Sequence, residues 1–127
     1  MNIAFAYNVK RNNPSLDISQ ESDQDFDTPE VVSEITKIIE GLGHKVLPVE
    51  ANLDAFNKLK ENKDKIDMVF NIAEGLWGDA RESQIPLFCE ALKIAYTHSS
   101  PTVLAISLDK TFTKLILRGS GVLVPDS

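Results

Sequence analysis

The sequence has 127 residues, of which 43% are hydrophobic and 25% are charged, and these values are typical of a single globular domain. No apolar run approaches the length of a membrane-spanning helix, and the apolar run at the N-terminus is too short for a secretory signal peptide. The single cysteine, Cys89, has no partner for an internal disulfide, which favours a reducing compartment. We therefore expect a cytoplasmic protein that has no membrane partner.

The net charge of −6 comes from one acidic segment and not from the whole surface. Between residues 17 and 30 there is no lysine or arginine, and outside this segment the acidic and basic residues are equal in number. The acidic side chains of the segment are Asp17, Glu21, Asp23, Asp25, Asp27 and Glu30. Because binding to nucleic acid depends on a basic surface, nucleic acid is not expected as a partner.

The first third of the chain predicts a strand, a long loop and a helix. Residues 3–7 form a short apolar run, and residues 8–28 are polar, which is typical of either a functional loop or a disordered segment. Thr28 is positioned to cap a helix that has Pro29 in its first turn and ends near Gly41. The apolar stripe of this helix contains Val31, Val32, Ile35, Ile38, Ile39 and Leu42.

Two further strands enclose a second predicted helix. Residues 45–49 form a strand in which Pro48 favours an edge position or a strand end, because proline cannot donate a hydrogen bond to a neighbouring strand. Asn52 is predicted to cap the helix. The apolar face of this helix contains Leu53, Phe56, Leu59 and Ile66. Residues 68–73 are almost continuously apolar, as in a parallel strand that is covered on both faces.

The last third completes an alternation of strands and helices. A third helix follows the turn-rich loop at residues 74–79, and Pro86 either lies in its first turn or kinks it. Cys89 lies beside Phe88 on the apolar face of this helix and is predicted to belong to the core. A short strand at residues 94–97 precedes two helices at residues 102–108 and 110–117. This order predicts an α/β fold of three layers, with a mostly parallel sheet of four or more strands and helices on both faces. Ligands of such sheets bind beyond the carboxyl ends of the strands, so the polar loops at those ends form the candidate site.

Five sequence blocks in residues 67–125 carry a resemblance to a known family. They are the strand DMVFN, the loop with Glu74 and Gly75, the helix beginning near Glu82, the strand and turn AYTHSSP, and LDKTFTK followed by GSGVLVP. In this order and spacing the blocks resemble the N-terminal domain of D-alanine–D-alanine ligases and their close relatives in the ATP-grasp superfamily. Before residue 67 only the layout of strands and helices matches. The resemblance implies a Rossmann-like pre-ATP-grasp fold.

The resemblance also implies an activity and its cofactors. In the family, ATP phosphorylates one carboxylate, and the amine of a second amino acid attacks the acyl phosphate in a step of cell-wall (peptidoglycan) precursor synthesis. ATP and Mg²⁺ are held mostly by a central and a C-terminal domain. We expect residues 1–127 to be the N-terminal domain alone, without catalytic activity or a bound cofactor. Its expected partners are an amino acid substrate, the absent ATP-grasp domains of the same chain and, as a possibility, a second copy in a homodimer.

The resemblance assigns candidate phosphate contacts to the last predicted helix. Lys110 matches a lysine that reaches the ATP phosphates in the family. Lys114 and Arg118 follow at intervals of four residues, so the three cations share one face of the helix. We predict that Lys110 and Lys114 bind ATP phosphate. The alternative is a solvated face, with Asp109 as the N-cap of the helix.

Four other residues are candidate substrate contacts. Glu74 stands where the better-known ligases have histidine, and it either binds an amine or orders its own loop. Asp27 and Glu30 lie nearest to the position of the family's substrate-binding Ser/Glu motif, which this sequence lacks, and capping or helix-dipole roles are their alternative. Arg81 either binds a substrate carboxylate or pairs with Asp79 at the surface. No catalytic residue and no metal ligand is predicted in this chain.

Two functions without catalysis remain open from the sequence. The chain is either a stand-alone α/β module that binds a small ligand, or an interaction module that docks onto another chain through a face including Trp77 and Ile116. An ATP-grasp domain encoded after Ser127 would distinguish a ligase from both alternatives.

Overall fold

The computed structural model describes residues 1–10 and 26–126. Strands and helices alternate along this part of the chain, and two short 3-10 turns lie at Lys63–Lys65 and Arg81–Ser83. The elements are β1 (Asn2–Tyr7), α1 (Pro29–Gly41), β2 (Lys45–Glu50), α2 (Ala55–Asn62), β3 (Met68–Asn71), α3 (Gln84–Leu92), α4 (Pro101–Leu108) and α5 (Lys110–Gly119). The predicted α/β class is confirmed. Most of the polar loop predicted at residues 8–28, including the acidic residues 17–25, lies outside the described residues.

The three strands of the described sheet run parallel in the order β2-β1-β3. Phe5 of the central strand lies between Pro48 of β2 and Phe70 of β3. Because β2 is at an edge of this sheet, Pro48 has no second neighbouring strand to which it would have to donate. The predicted edge position of Pro48 is therefore confirmed.

The prediction of four or more strands overstated the sheet. Residues 94–97 approach β3 but form only one bridge, between Val69 and Tyr96. The Val69 amide donates to Ala95 and the Thr97 amide donates to Val69, at 2.8 and 2.9 Å. The segment is short because the chain turns at Lys93, the C-cap residue of α3, and again at His98, both with positive φ. Within the described residues this leaves a three-stranded sheet.

Side chains of β1 alternate between two hydrophobic clusters, one on each face of the sheet. Ala4 and Ala6 face the larger cluster, where Leu59 of α2 and Ile85 and Cys89 of α3 are buried. On the opposite face the buried residues are Ile3, Phe5 and Ile39, the last from α1. This arrangement confirms the predicted three layers and explains why the strands of a parallel sheet are apolar on both faces.

Helices α1 and α5 begin directly after the capping residues that the sequence predicts, whereas α2 does not. The Thr28 hydroxyl accepts from the Val31 amide at 3.4 Å, with Pro29 as the first residue of α1. α2 begins at Ala55 and not directly after Asn52, whose side-chain oxygen accepts instead from the Asp54 amide at 3.0 Å. Asn52 thus orders the turn before the helix, and the prediction that it caps α2 was wrong.

Some residues of the predicted apolar stripes lie at the surface. Leu53 is 81% exposed because it precedes α2, and Ile38 and Leu42 of the α1 region are 61% and 71% exposed. Val32, Ile35 and Ile39 provide the actual contact of α1 with the sheet. A single helix layer covers only the side chains that point directly at the sheet, so the stripe is wider than the contact. Among the described residues, none of the helices is long and apolar enough to cross a membrane.

Candidate functional site

Asn8 joins the carboxyl ends of all three strands. It directly follows β1 and is only 3% exposed. Its side-chain nitrogen donates to the Ala51 carbonyl, which follows β2, at 3.1 Å. Its side-chain oxygen accepts from the Glu74 and Gly75 amides, which follow β3, at 2.9 and 3.0 Å. One buried amide therefore positions the loop that carries Glu74.

A second buried amide, Asn71, ends β3. Asn71 is 3% exposed, and its backbone amide donates to the Thr97 hydroxyl at 2.9 Å. Its side-chain oxygen accepts from the Ala73 amide at 3.0 Å, which turns the chain towards the loop at residues 74–79. Both contacts fix the backbone immediately before Glu74.

The loop at residues 74–79 is fixed from the side of α3 as well. The Gln84 side-chain oxygen accepts from the Leu76 amide, and its nitrogen donates to the Trp77 carbonyl, both at 3.1 Å. Gly75 has a φ of +81°, and a Cβ atom at this position would collide with the Arg81 carbonyl. The close approach of the loop to the turn at Arg81–Ser83 therefore requires glycine.

Glu74 faces a depression at the carboxyl edge of the sheet. This depression, which we call the Glu74 depression, has a volume of about 230 Å³. Its lining residues are Asn71, Ile72, Ala73, Glu74, Glu82, His98 and Leu104. The polar side chains come from β3 and the loop after it, from the turn before α3 and from the residues before α4, so the fold brings together groups that are separate in the sequence.

A second depression lies along α5 and has a volume of about 330 Å³. It is lined by Lys110, Thr111, Lys114, Leu115, Arg118 and Asp126. The Arg118 guanidinium contacts the Asp126 carboxylate at 3.1 Å and the Pro125 carbonyl at 3.2 Å. The predicted common face of the cations is present, and we call Lys110, Lys114 and Arg118 the α5 basic face.

The start of α5 has the predicted cap. The Asp109 carboxylate accepts from the Thr111 and Phe112 amides at 2.8 and 3.0 Å, so Lys110 is the first helical residue. Within residues 1–10 and 26–126, Lys110 forms no ion pair. A cation in the first turn faces the positive end of the helix dipole, which favours anions. An anion bound beside Lys110 would relieve that unfavourable contact.

The other candidate substrate residues line neither of these depressions. Asp27 is held through its backbone, which forms a bridge with Val9 next to the end of β1. Glu30 is exposed in the first turn of α1, as expected for a residue that interacts with the helix dipole. Arg81 begins the 3-10 turn before α3, and in the described part of the chain it forms no ion pair with Asp79.

Trp77 lines an apolar groove beside the loop at residues 74–79. The groove has a volume of about 240 Å³, and its other lining residues include Leu53 and Phe88. Trp77 is 59% exposed, so it does not seal the core. Asn8, Asn71 and Gln84 were not singled out from the sequence, although a polar side chain at the end of an apolar strand was a signal for the first two.

Cys89 is part of the core and not of the candidate site, as predicted. It is fully buried on α3, and burial, with a smaller contribution from the Glu90 carboxylate, raises the pKa of the thiol to about 12. The thiolate is the reactive form, so this cysteine is inert at neutral pH. Within the described residues no group of three or more His, Cys, Asp or Glu side chains is placed to hold a metal ion.

These features define a parallel α/β domain with two polar depressions, of which the one at the carboxyl edge of the sheet is the usual place for a ligand in this class. No protein-family model matches the chain. A D-alanine–D-alanine ligase of Caulobacter vibrioides is 37% identical over 87 residues, which are 68% of this chain and 26% of that protein. The ligase of Ruegeria sp. is 34% identical over 94 residues, which are 74% of this chain and 29% of that protein.

Solved structures show the same relationship at the level of the fold. The D-alanine–D-alanine ligase of Bacillus anthracis aligns with 99% of this chain and 37% of its own, with a TM-score of 0.64 and 21% sequence identity. The same enzyme complexed with ATP gives the same TM-score. The matched stretches span less than a third of the curated relatives described above. This chain is a member of the D-alanine–D-alanine ligase family or a close relative of it, and the match is consistent with the N-terminal domain of those enzymes.

Proposed function

We propose that this chain is the N-terminal, substrate-binding domain of an ATP-dependent carboxylate–amine ligase of the D-alanine–D-alanine ligase type. The observation that carries the proposal is the 37% identity to such a ligase over 68% of the chain. In the proposed reaction the terminal phosphoryl group of ATP moves to a carboxylate oxygen and ADP leaves. The amine of the second substrate then attacks the acyl carbon, and inorganic phosphate leaves as the new amide forms.

The α5 basic face fits the phosphates of ATP. Lys110 and Lys114 line the same depression, and a lysine ammonium binds phosphate oxygens through charge-assisted hydrogen bonds. Arg118 is occupied by Asp126 and Pro125, so we assign it the role of holding the end of the described chain. We assign Mg²⁺ and the adenine ring to the central and C-terminal domains of the complete protein.

The Glu74 depression fits the amino group of the substrate. Two carboxylates line it, and Asn8 and Asn71 fix the backbone from which Glu74 projects. Asp27, Glu30 and Arg81 line neither depression, and we propose that they reach substrate only when the remaining domains close over this edge of the sheet. Glu74 is the substrate contact that the geometry favours.

The exposed surface of α5 favours the alternative in which the domain docks onto another protein domain or chain. No residue of α5 is buried, and Phe112, Leu115 and Ile116 are 61%, 58% and 46% exposed. We propose that the ATP-grasp domains of the same protein cover these side chains. A stand-alone interaction or small-ligand module without catalysis is the second candidate, and a homodimer through the same surface is a further outcome of the test.

The test compares the 127-residue chain with the complete product of its gene. With ATP, Mg²⁺ and D-alanine, the complete product is expected to release phosphate, and the 127-residue chain is expected to release none above background. Phosphate release by the 127-residue chain would contradict the proposal that the ligase reaction requires the ATP-grasp domains. A gene product without ATP-grasp domains would favour the interaction module, and sedimentation would then show whether it forms a homodimer.

Lys110→Ala in the complete product tests the phosphate contact. Loss of one charge-assisted hydrogen bond is expected to raise the apparent Michaelis constant for ATP by roughly tenfold or more and to slow turnover. The matched control is Lys60→Ala, which removes an exposed lysine of α2 far from the α5 basic face in the sequence. Both variants should keep the thermal midpoint of the parent, since exposed substitutions change stability by about half a kcal/mol or less. Unchanged ATP dependence of Lys110→Ala would overturn the assignment.

A further inference from the structure

We propose that His98 contacts the carboxylate of the amino acid substrate in the Glu74 depression. The inference rests on the proposed function, which places the amino group of that substrate at this depression. It goes further by assigning a substrate contact to a residue whose backbone conformation is unfavourable for histidine.

His98 has a φ of +86°, in a region that residues other than glycine rarely adopt. Among the described residues, Lys93 is the other non-glycine residue with a positive φ. Lys93 has a φ of +58° and is the C-cap of α3, where a left-handed conformation commonly ends a helix. His98 has the larger φ and ends no helix, so this structural reason for the conformation does not apply to it.

The contacts on either side of His98 impose its conformation. Before it, the Thr97 amide donates to the Val69 carbonyl at 2.9 Å, which ties the chain to β3. After it, the Ser100 hydroxyl caps α4 by accepting from a backbone amide of the first turn at 3.4 Å. His98 and Ser99 connect these two fixed points, so the backbone turns sharply between them. Glycine would adopt the required φ without steric cost, whereas histidine is strained there.

The side chain of His98 makes no contact within the protein that would compensate for this strain. Its imidazole takes part in no hydrogen bond or ion pair in the described part of the chain. Among the described residues that line the Glu74 depression, His98 is the exposed one. Strained backbone conformations cluster at ligand-binding positions, where function and not stability decides which residue is present. The imidazole is therefore available to a ligand.

The chemistry of the substrate indicates which of its groups His98 contacts. In an α-amino acid a single carbon atom separates the ammonium from the carboxylate, so both groups lie within one depression of about 230 Å³. The ionised carboxylates of Glu74 and Glu82 accept hydrogen bonds and donate none, so they do not suit the substrate carboxylate. An imidazole carries at least one N–H donor, whether neutral or protonated. His98 therefore suits the carboxylate of the substrate, and a glutamate suits its ammonium.

The test uses the complete product of the gene, with Michaelis constants measured separately for D-alanine and for ATP. His98→Gly removes the imidazole and the backbone strain together. It is expected to raise the constant for D-alanine by roughly tenfold, as for the loss of one hydrogen bond to a charged group, and to leave the constant for ATP unchanged. The thermal midpoint should rise by a few degrees, because the relief of strain exceeds the additional entropy of glycine in the unfolded chain.

The matched control is Lys93→Gly, which also replaces a residue of positive φ by glycine. Its thermal midpoint is expected to rise as well, but both Michaelis constants should stay unchanged. His98→Asn and His98→Gln place an amide nitrogen close to the positions of the two imidazole nitrogens. One of these two variants should therefore restore part of the affinity for D-alanine that His98→Gly loses.

Four results would each overturn the inference. They are an unchanged constant for D-alanine in His98→Gly, an equal rise of that constant in Lys93→Gly, a lower thermal midpoint in His98→Gly, and no restoration by either amide variant. If the complete product releases phosphate with D-alanine while His98→Gly keeps the constant of the parent, the inference fails alone. A complete product without phosphate release would instead refute the proposed function, and the inference with it.

Discussion

Replacing Asn8 by alanine should destabilise the domain more than any other single amide substitution in the described residues. The change removes hydrogen bonds to Ala51, Glu74 and Gly75, with lengths between 2.9 and 3.1 Å, at a position that is 3% exposed. Each net hydrogen bond contributes about 0.5–1.5 kcal/mol, and the orphaned backbone groups have little access to water. We therefore expect the free energy of unfolding to fall by about 2–4 kcal/mol.

Urea unfolding measures this loss, and amide hydrogen exchange shows where it arises. The Glu74 and Gly75 amides should lose protection in Asn8→Ala by more than the global loss of stability explains. The control is Asn57→Ala, which removes one exposed hydrogen bond of 3.4 Å to Asp54 and should cost about half a kcal/mol or less. A loss below about 1 kcal/mol in Asn8→Ala, or unchanged exchange at Glu74 and Gly75, would refute the role of Asn8 in positioning the loop.

Two further predictions concern the loop and the core. In thermal unfolding, Gly75→Ala should lower the free energy of unfolding by about 2 kcal/mol or more, because its Cβ would strike the Arg81 carbonyl. Gly78 has a φ of +98° and open space around it, so Gly78→Ala should lower this free energy by only about 1–2 kcal/mol. Equal losses in the two variants would contradict the steric argument. The buried Cys89 thiol, with its pKa raised to about 12, should resist thiol reagents at about pH 8 in the folded protein. Because burial raises the pKa of the folded thiol above its ordinary value of 9.0, the contribution of the thiol to stability is full below that value and is lost as the pH rises towards about 12. Cys89→Ala should lack the part of the loss of stability at alkaline pH that comes from this thiol. Identical pH profiles of unfolding for the parent and for Cys89→Ala would show that the thiol does not titrate as described.

Local patterns in the sequence were sufficient for the fold class and for most helix starts. Thr28 with Pro29, and Asp109 before α5, act through hydrogen bonds to amides two or three residues away, so their roles are visible in a short stretch of sequence. The alternation of strands and helices indicated the parallel sheet, because the order of these elements can be read directly along the chain. The family resemblance in residues 67–125, which the comparisons confirm, added the relationship that these patterns alone do not contain.

The length of the sheet and the width of the helix contacts depended on tertiary packing. An apolar stripe shows which side chains are able to face a core, but the surface available on the sheet decides which of them do. Ile38 and Leu42 stay exposed for this reason, while Ile39 is buried. In the same way, residues 94–97 have the composition of a strand, but the turns at Lys93 and His98 leave space for only one bridge to β3.

The sequence by itself determined the α/β class, the caps of α1 and α5, the buried Cys89 and the common face of Lys110 and Lys114, because each depends on neighbours within a few positions along the chain. Only the tertiary structure revealed the hydrogen bonds of Asn8, whose partners are 43, 66 and 67 residues away. It alone also brought Glu82 into the depression that contains Glu74. Such contacts exist only once the strands have aligned and their carboxyl ends share one edge, since no local pattern encodes the distance between residues on different strands.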